Sequence, residues 1–169
     1  MSREADTDVF YTVLQRRLHW LVIFLLLGQY LLQEPMREAI AAIAREETLG
    51  FRQFLVTTAH TWGGICTGAI MMWRWQLRKR VVPLNGGHLS QIQTRWVRVH
   101  HVSLYAVIFG MVITGAMHYY LEWAFAERWH ELGKWMLLAL IFIHVAGAFS
   151  HLKQGGTVLR RMMGRNSLR

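Results

Sequence analysis

The sequence has few of the residues that staple or interrupt a soluble fold. Among its 169 residues there is one cysteine, Cys66, and two prolines, Pro35 and Pro83. A lone thiol excludes an intramolecular disulfide and a cysteine-held metal cluster, and its place inside an apolar block reads as structural. Asp and Glu number 10 against 19 Lys and Arg, and no acid lies inside the apolar blocks. There is no glycine-rich nucleotide loop, no internal repeat and no low-complexity run. The stretch from Met1 to Asp8 is polar and acidic and lacks the charged-then-apolar form of a cleavable signal. The first apolar helix is therefore expected to stay in the mature protein.

What the chain does have is 53% apolar residues together with a formal net charge of +9. The apolar residues fall in long blocks and the charges fall between them, the pattern of a polytopic membrane protein. The expected fold is all-α, an integral membrane four-helix bundle forming one domain over 1–169, with spans of about 10–33, 54–76, 96–121 and 131–153. A span needs roughly 20 residues at about 1.5 Å of rise per residue. The first block reaches that length only if Arg16 and Arg17 snorkel. Between the first two spans, Pro35 precedes Met36, Ile40 and Ile43 at helical spacing, which predicts a short surface helix within an outer loop from Gln33 to Gln53. Pro83 and the Gly86-Gly87 pair predict an inner turn.

Four spans put both termini on one face. That face carries Arg3, Arg16, Arg17, Arg74, Arg78, Lys79, Arg80, Arg95, Arg98, Lys153, Arg160, Arg161, Arg165 and Arg169, 14 in all. The opposite face carries Arg37, Arg45, Arg52, Arg128 and Lys134, with seven of the acids between Glu34 and Glu131. The positive-inside rule then makes both termini cytoplasmic. It also accounts for the basic balance without any nucleic acid.

The chemistry lies in nine histidines. His19, His60, His100, His101, His118, His144 and His151 lie in or at the ends of apolar spans, and His130 stands just before the fourth. Ionisable residues inside a bilayer are costly and mark function. Zinc or copper transport would want carboxylates or thiols beside imidazole, and proton relays want acids. Haem needs only two neutral imidazoles on facing helices in an apolar slot, so haem fits best. His130 and His144 are 14 residues apart, about 40° around one helix and about 21 Å along it, which suits two stacked haems. His100 and His118 share a face too, but at about 27 Å they would put the irons nearly outside the bilayer. His60 lies level with His130. His19 leads as the partner of His144, with His100 and His101 as competitors. His118 with Tyr119 and Tyr120 reads as interfacial, and His88 as a solvated loop residue.

These residues resemble the bacterial cytochrome b561 proteins, and within them the superoxide oxidase type. The resemblance runs over nearly the whole chain. It is carried by Arg17-Leu18-His19-Trp20, by His60 followed by Gly64, by Arg74 and Arg78, and by His101-Val102-Ser103-Leu104-Tyr105. Trp129-His130-Glu131, the His144 to His151 step and Arg161-Met162-Met163 complete it. It implies two haems b, one held by His19 and His144 on the cytoplasmic side and one by His60 and His130 on the outer side. It places quinone near His101 and His151, and Lys153 supplies a further donor for a quinone carbonyl. Arg74 and Arg78 are expected either to meet haem propionates or to serve as positive-inside charges. Arg128 and Lys134 flank His130 and are expected to make the outer field locally positive.

The expected function is electron transfer in the bacterial inner membrane between an outer donor, with superoxide as the candidate, and ubiquinone. Two other readings compete with it. One is an electron-relay subunit for a separate periplasmic redox protein. The other is a histidine-lined metal transporter without haem.

Overall fold

A computed structural model describes residues 12–78 and 90–153, the last three through their backbone alone. The described chain is all-α, with helices α1 (Val13–Ala44), α2 (Phe51–Arg78), α3 (Gln91–Leu121) and α4 (Ala124–Lys153) forming a four-helix bundle. The predicted inner turn at Pro83 and Gly86-Gly87 lies outside the described residues, as do His88 and the basic residues of both termini.

Local chemistry starts and stops these helices. Thr12 caps α1 and Ser90 caps α3, each in a reciprocal box with a glutamine three residues on (Gln15 and Gln93). Such boxes satisfy two of the amide groups that a helix N-terminus leaves without partners. α3 ends at Glu122, whose left-handed backbone (φ 54) turns the chain sharply into α4. In the turn of the first hairpin Glu46 takes the same conformation (φ 57). Beside it the Arg45 Nε–H donates to Glu47 Oε1 at 2.6 Å, which holds the Glu47 carboxyl below its ordinary pKa.

The first helix departs from the sequence reading. Instead of an outer loop beginning at Gln33 and a separate surface helix, α1 runs unbroken through Pro35 to Ala44. Proline removes one amide donor and crowds the preceding turn, so tertiary contacts must hold the helix together. They are present on both sides of Pro35. The Tyr30 hydroxyl donates to the Lys134 carbonyl at 2.9 Å, and Arg37 Nη2 donates to Glu131 Oε1 at 2.9 Å. Beyond them Ala39 and Ala42 are fully buried.

α1 packs along α2 and α3 along α4, and the two hairpins meet through a smaller α2–α3 contact. Gly68 permits that approach, since a Cβ there would lie 3.2 Å from Val112 Cγ1. The central core is Val22, Met71, Tyr105, Ile108 and Leu137. Leu137, 2% exposed, lies seven residues from both His130 and His144, so this apolar layer separates two histidine levels, labelled outer (His130) and inner (His144) after the orientation expected from the sequence. The outside of the bundle is apolar on every helix, with Phe24, Phe54, Ile113 and Phe142 exposed. By length and composition α3 and α4 qualify as membrane-crossing helices.

Candidate functional site

The outer level is built around a cavity of about 550 Å³ lined by all four helices, a size that takes a cofactor or a drug-sized ligand. α2 contributes His60 and α4 contributes His130, with ring centroids 6.4 Å apart. His130 is held in one tautomer. Its Nδ1 lies 2.9 Å from the Met111 carbonyl, and because a carbonyl only accepts, Nδ1 carries the proton. The lone pair is then on Nε2, free for another group. Thr114 Oγ1, which donates to the Gly110 carbonyl at 2.7 Å, stands 3.5 Å from the same Nδ1 and adds a weaker acceptor. His60 Nδ1, His118 Nδ1 and Gln33 Oε1 are buried with no hydrogen-bond partner. Orphaned polar atoms around a cavity are expected where a bound group would complete the site.

The rim of this cavity is charged. Lys134 Nζ lies 3.3 Å from Glu131 Oε1, the oxygen that also accepts from Arg37, and Arg37 is itself 3.5 Å from Glu34. Lys134 lines the cavity. Arg128 is exposed on α4 and is not among the lining residues. Arg37 takes the second cationic position. The sequence reading missed it because it assigned Arg37 to a loop, although its i,i+3 spacing from Glu34 was a helical signal. His118, read as interfacial, also lines the cavity.

At the inner level three imidazoles gather around that of His144. Ring centroids lie 6.3 Å away for His19, 5.7 Å for His100 in a stacked arrangement, and 5.3 Å for His101 edge-on. His101 Nδ1 donates to the Val97 carbonyl at 2.7 Å. Nε2 of His100 is buried without a partner. Arg74 donates to the Gln15 carbonyl at 3.3 Å, tying α2 to α1 within electrostatic reach of His19 and His144. Arg78 is exposed at the end of α2, near His101. The side chains of His151 and Lys153 lie outside the described residues. No three of the described His, Cys, Asp and Glu side chains form a group that could hold one metal ion.

This chain matches the prokaryotic cytochrome b561 family over residues 11–165. The chain belongs to that family. A search of the curated proteins finds no match. Prokaryotic cytochromes b561 are membrane proteins that bind haem b, typically two, and transfer electrons.

Two axial imidazoles impose a test that distances can meet or fail. A ligating nitrogen lies about 2 Å from a transition metal and about 1.1 Å from its own ring centre, so two rings on opposite sides of one metal have centroids roughly 6.3 Å apart. The His60–His130 and His19–His144 separations of 6.4 and 6.3 Å leave that room. The His100–His144 and His101–His144 separations of 5.7 and 5.3 Å fall short of it. The donor set suits a cytochrome b561 haem as well, since it consists of neutral imidazoles among apolar neighbours.

Proposed function

We propose that this protein is a di-haem b oxidoreductase of the bacterial inner membrane that passes electrons between an outer-side donor and ubiquinone. In this reading all four helices span the bilayer and both termini are cytoplasmic. His60 and His130 hold the outer haem, and His19 and His144 hold the inner one. The observation that carries the reading is the pair of imidazole separations, 6.4 and 6.3 Å, at two levels of one bundle. Haem b, when bound, supplies one-electron transfer at each level.

The chain's own residues do the rest. The apolar layer around Leu137 keeps water from between the two levels. Arg74 offers positive charge at the inner level, where a propionate would be received, and Arg78 adds charge at the cytoplasmic edge. His101, His151 and Lys153 form the quinone site. With Nδ1 bound to Val97, a neutral His101 presents a lone pair, so it accepts a hydrogen bond from a quinol hydroxyl. Lys153 donates to a quinone carbonyl. If superoxide is the donor, two superoxide ions each lose one electron to become dioxygen, and ubiquinone takes two electrons and two protons to become ubiquinol.

A second reading has a specific observation in its favour. A superoxide oxidase gains from a positive funnel over its outer site, yet Arg37 and Lys134 are paired with Glu34 and Glu131, and Glu127 also lines the cavity. A rim of mixed charge suits a docked periplasmic redox protein, for which the chain would be a relay. Stopped-flow mixing with superoxide separates the two. Reduction that slows as salt rises, and slows again in Lys134→Gln, supports the oxidase, because screening shortens the reach of the rim charges. Reduction no faster than that of a generic exposed haem supports the relay. A visible spectrum with a haem-to-protein ratio tests the shared core of both readings. Two haems b per chain are expected, and a colourless protein would leave the transporter reading standing.

A further inference from the structure

The environment of His130 differs from that of its partner in a way that bears on redox tuning. Helix α3 lies against the Nδ1–Cε1 edge of the His130 ring. The Met111 carbonyl accepts from Nδ1 at 2.9 Å and Thr114 Oγ1 stands 3.5 Å from the same atom. Gly115 presents bare backbone to the ring, and a Cβ built there would lie 3.0 Å from Cε1 and 3.1 Å from Nδ1. Real Cβ contacts are rarely so close, so any side chain at 115 would push the imidazole away. The neighbour that would have to give is a rigid ring, not the end of a flexible chain. Across the cavity His60 Nδ1 is buried with no acceptor.

We propose that Met111, Thr114 and Gly115 form a cradle on α3 that sets the orientation and basicity of His130, and through it the reduction potential of the outer haem. This rests on the reading of His130 as an iron ligand. The physical step is short. An imidazole whose Nδ1–H donates to a carbonyl carries more electron density on Nε2, and a metal-bound histidine is regularly oriented and strengthened in this way. A more basic axial ligand favours the ferric state, and hydrogen bonding beyond the ligands is one of the protein's levers on haem potential. Gly115 is thus a positioning residue, since it touches the ligand and leaves room for the bond to Met111. His130 and His60 are consequently unequal ligands, with α3 tuning one of them.

The test is a redox titration of the purified full-length holoprotein, followed by visible and low-temperature EPR spectra. In Gly115→Ala the ring is displaced and its bond to Met111 weakened, so the outer haem's midpoint potential rises and its low-spin EPR signal moves, while the inner haem keeps both values. Selective loss of the outer haem in this variant also supports the cradle. Two retained haems with unchanged potentials and signals would overturn it. If Gly115→Ala does not accumulate, Thr114→Val decides the matter. That isostere removes the hydroxyl beside Nδ1, and a smaller rise confined to the outer haem is expected, whereas no change overturns the proposal. His130→Ala tells this failure from a failure of the underlying reading. If that variant keeps both haems, His130 is not a ligand. If it loses one while Gly115→Ala shifts nothing, the ligand stands and the cradle falls.

Discussion

In the proposed di-haem reading, which imidazole would pair with His144 at the inner iron can be decided by single substitutions, and the distances say how firmly. A pair of axial rings needs about 6.3 Å between centroids. His19 stands at 6.3 Å from His144, whereas His101 stands at 5.3 Å, a shortfall of 1.0 Å. To serve as the ligand, His101 would have to retreat by that amount. Its Nδ1–Val97 bond of 2.7 Å would stretch to about 3.7 Å if the motion ran along the bond, past the limit of a hydrogen bond. Losing such a bond costs about 0.5–1.5 kcal/mol net, a factor of up to roughly 10 against His101 before any backbone strain. His19→Ala should therefore lower the haem content from two per chain to one, and His101→Ala should leave it at two. The outer level is about 21 Å away along α4, beyond the range at which substitutions couple. The double variant His19→Ala/His130→Ala should accordingly contain no haem. The assay is a pyridine haemochrome measurement against protein concentration, repeated with free imidazole added to refill the His19 space. A ratio of one in His101→Ala with two retained in His19→Ala would refute the distance argument and give the ligand to α3.

Other expectations follow from the same geometry. His60→Ala and His130→Ala should each abolish the outer haem and spare the inner one, read as loss of one of two steps in a redox titration. His151→Ala should keep the reduced spectrum and slow haem oxidation by a soluble ubiquinone, and loss of haem instead would assign His151 a structural role. Gly68→Val should press on Val112, whose methyl carbons already lie 3.2 and 3.3 Å from a Cβ at that position. Overpacking of this kind costs about 1–3 kcal/mol, visible as a lower Tm of the holoprotein, and an unchanged Tm would show that the hairpins do not meet tightly there.

Much of this was legible in the sequence, and the illegible part has a physical cause. Hydrophobic blocks separated by charge gave the four helices, and the 14-residue step from His130 to His144 gave two levels. Helical arithmetic resolves depth well because each residue adds a fixed rise. It does not resolve which of His19, His100 and His101 suits His144, because their ring distances differ by 1 Å or less. Pro35 lies in the stretch for which the sequence predicts an outer loop with a short surface helix, and proline breaks isolated helices. The contacts that carry α1 past it, Tyr30 to Lys134 and Arg37 to Glu131, join residues 104 and 94 positions apart and leave no local mark. Gly115 was equally silent. A glycine in an apolar helix reads the same whether it faces lipid, a helix or an imidazole.

The two hairpins pack well within themselves and less extensively against each other, while each histidine pair takes one ring from each hairpin. His19 and His60 belong to the first hairpin, and His130 and His144 to the second. In the proposed reading, a metal centre bound by such pairs would act as a rivet between the two hairpins. Without the cofactor the hairpins would be joined by the shared core and by the Tyr30 and Arg37 bonds, so loading would add to the stability of their union.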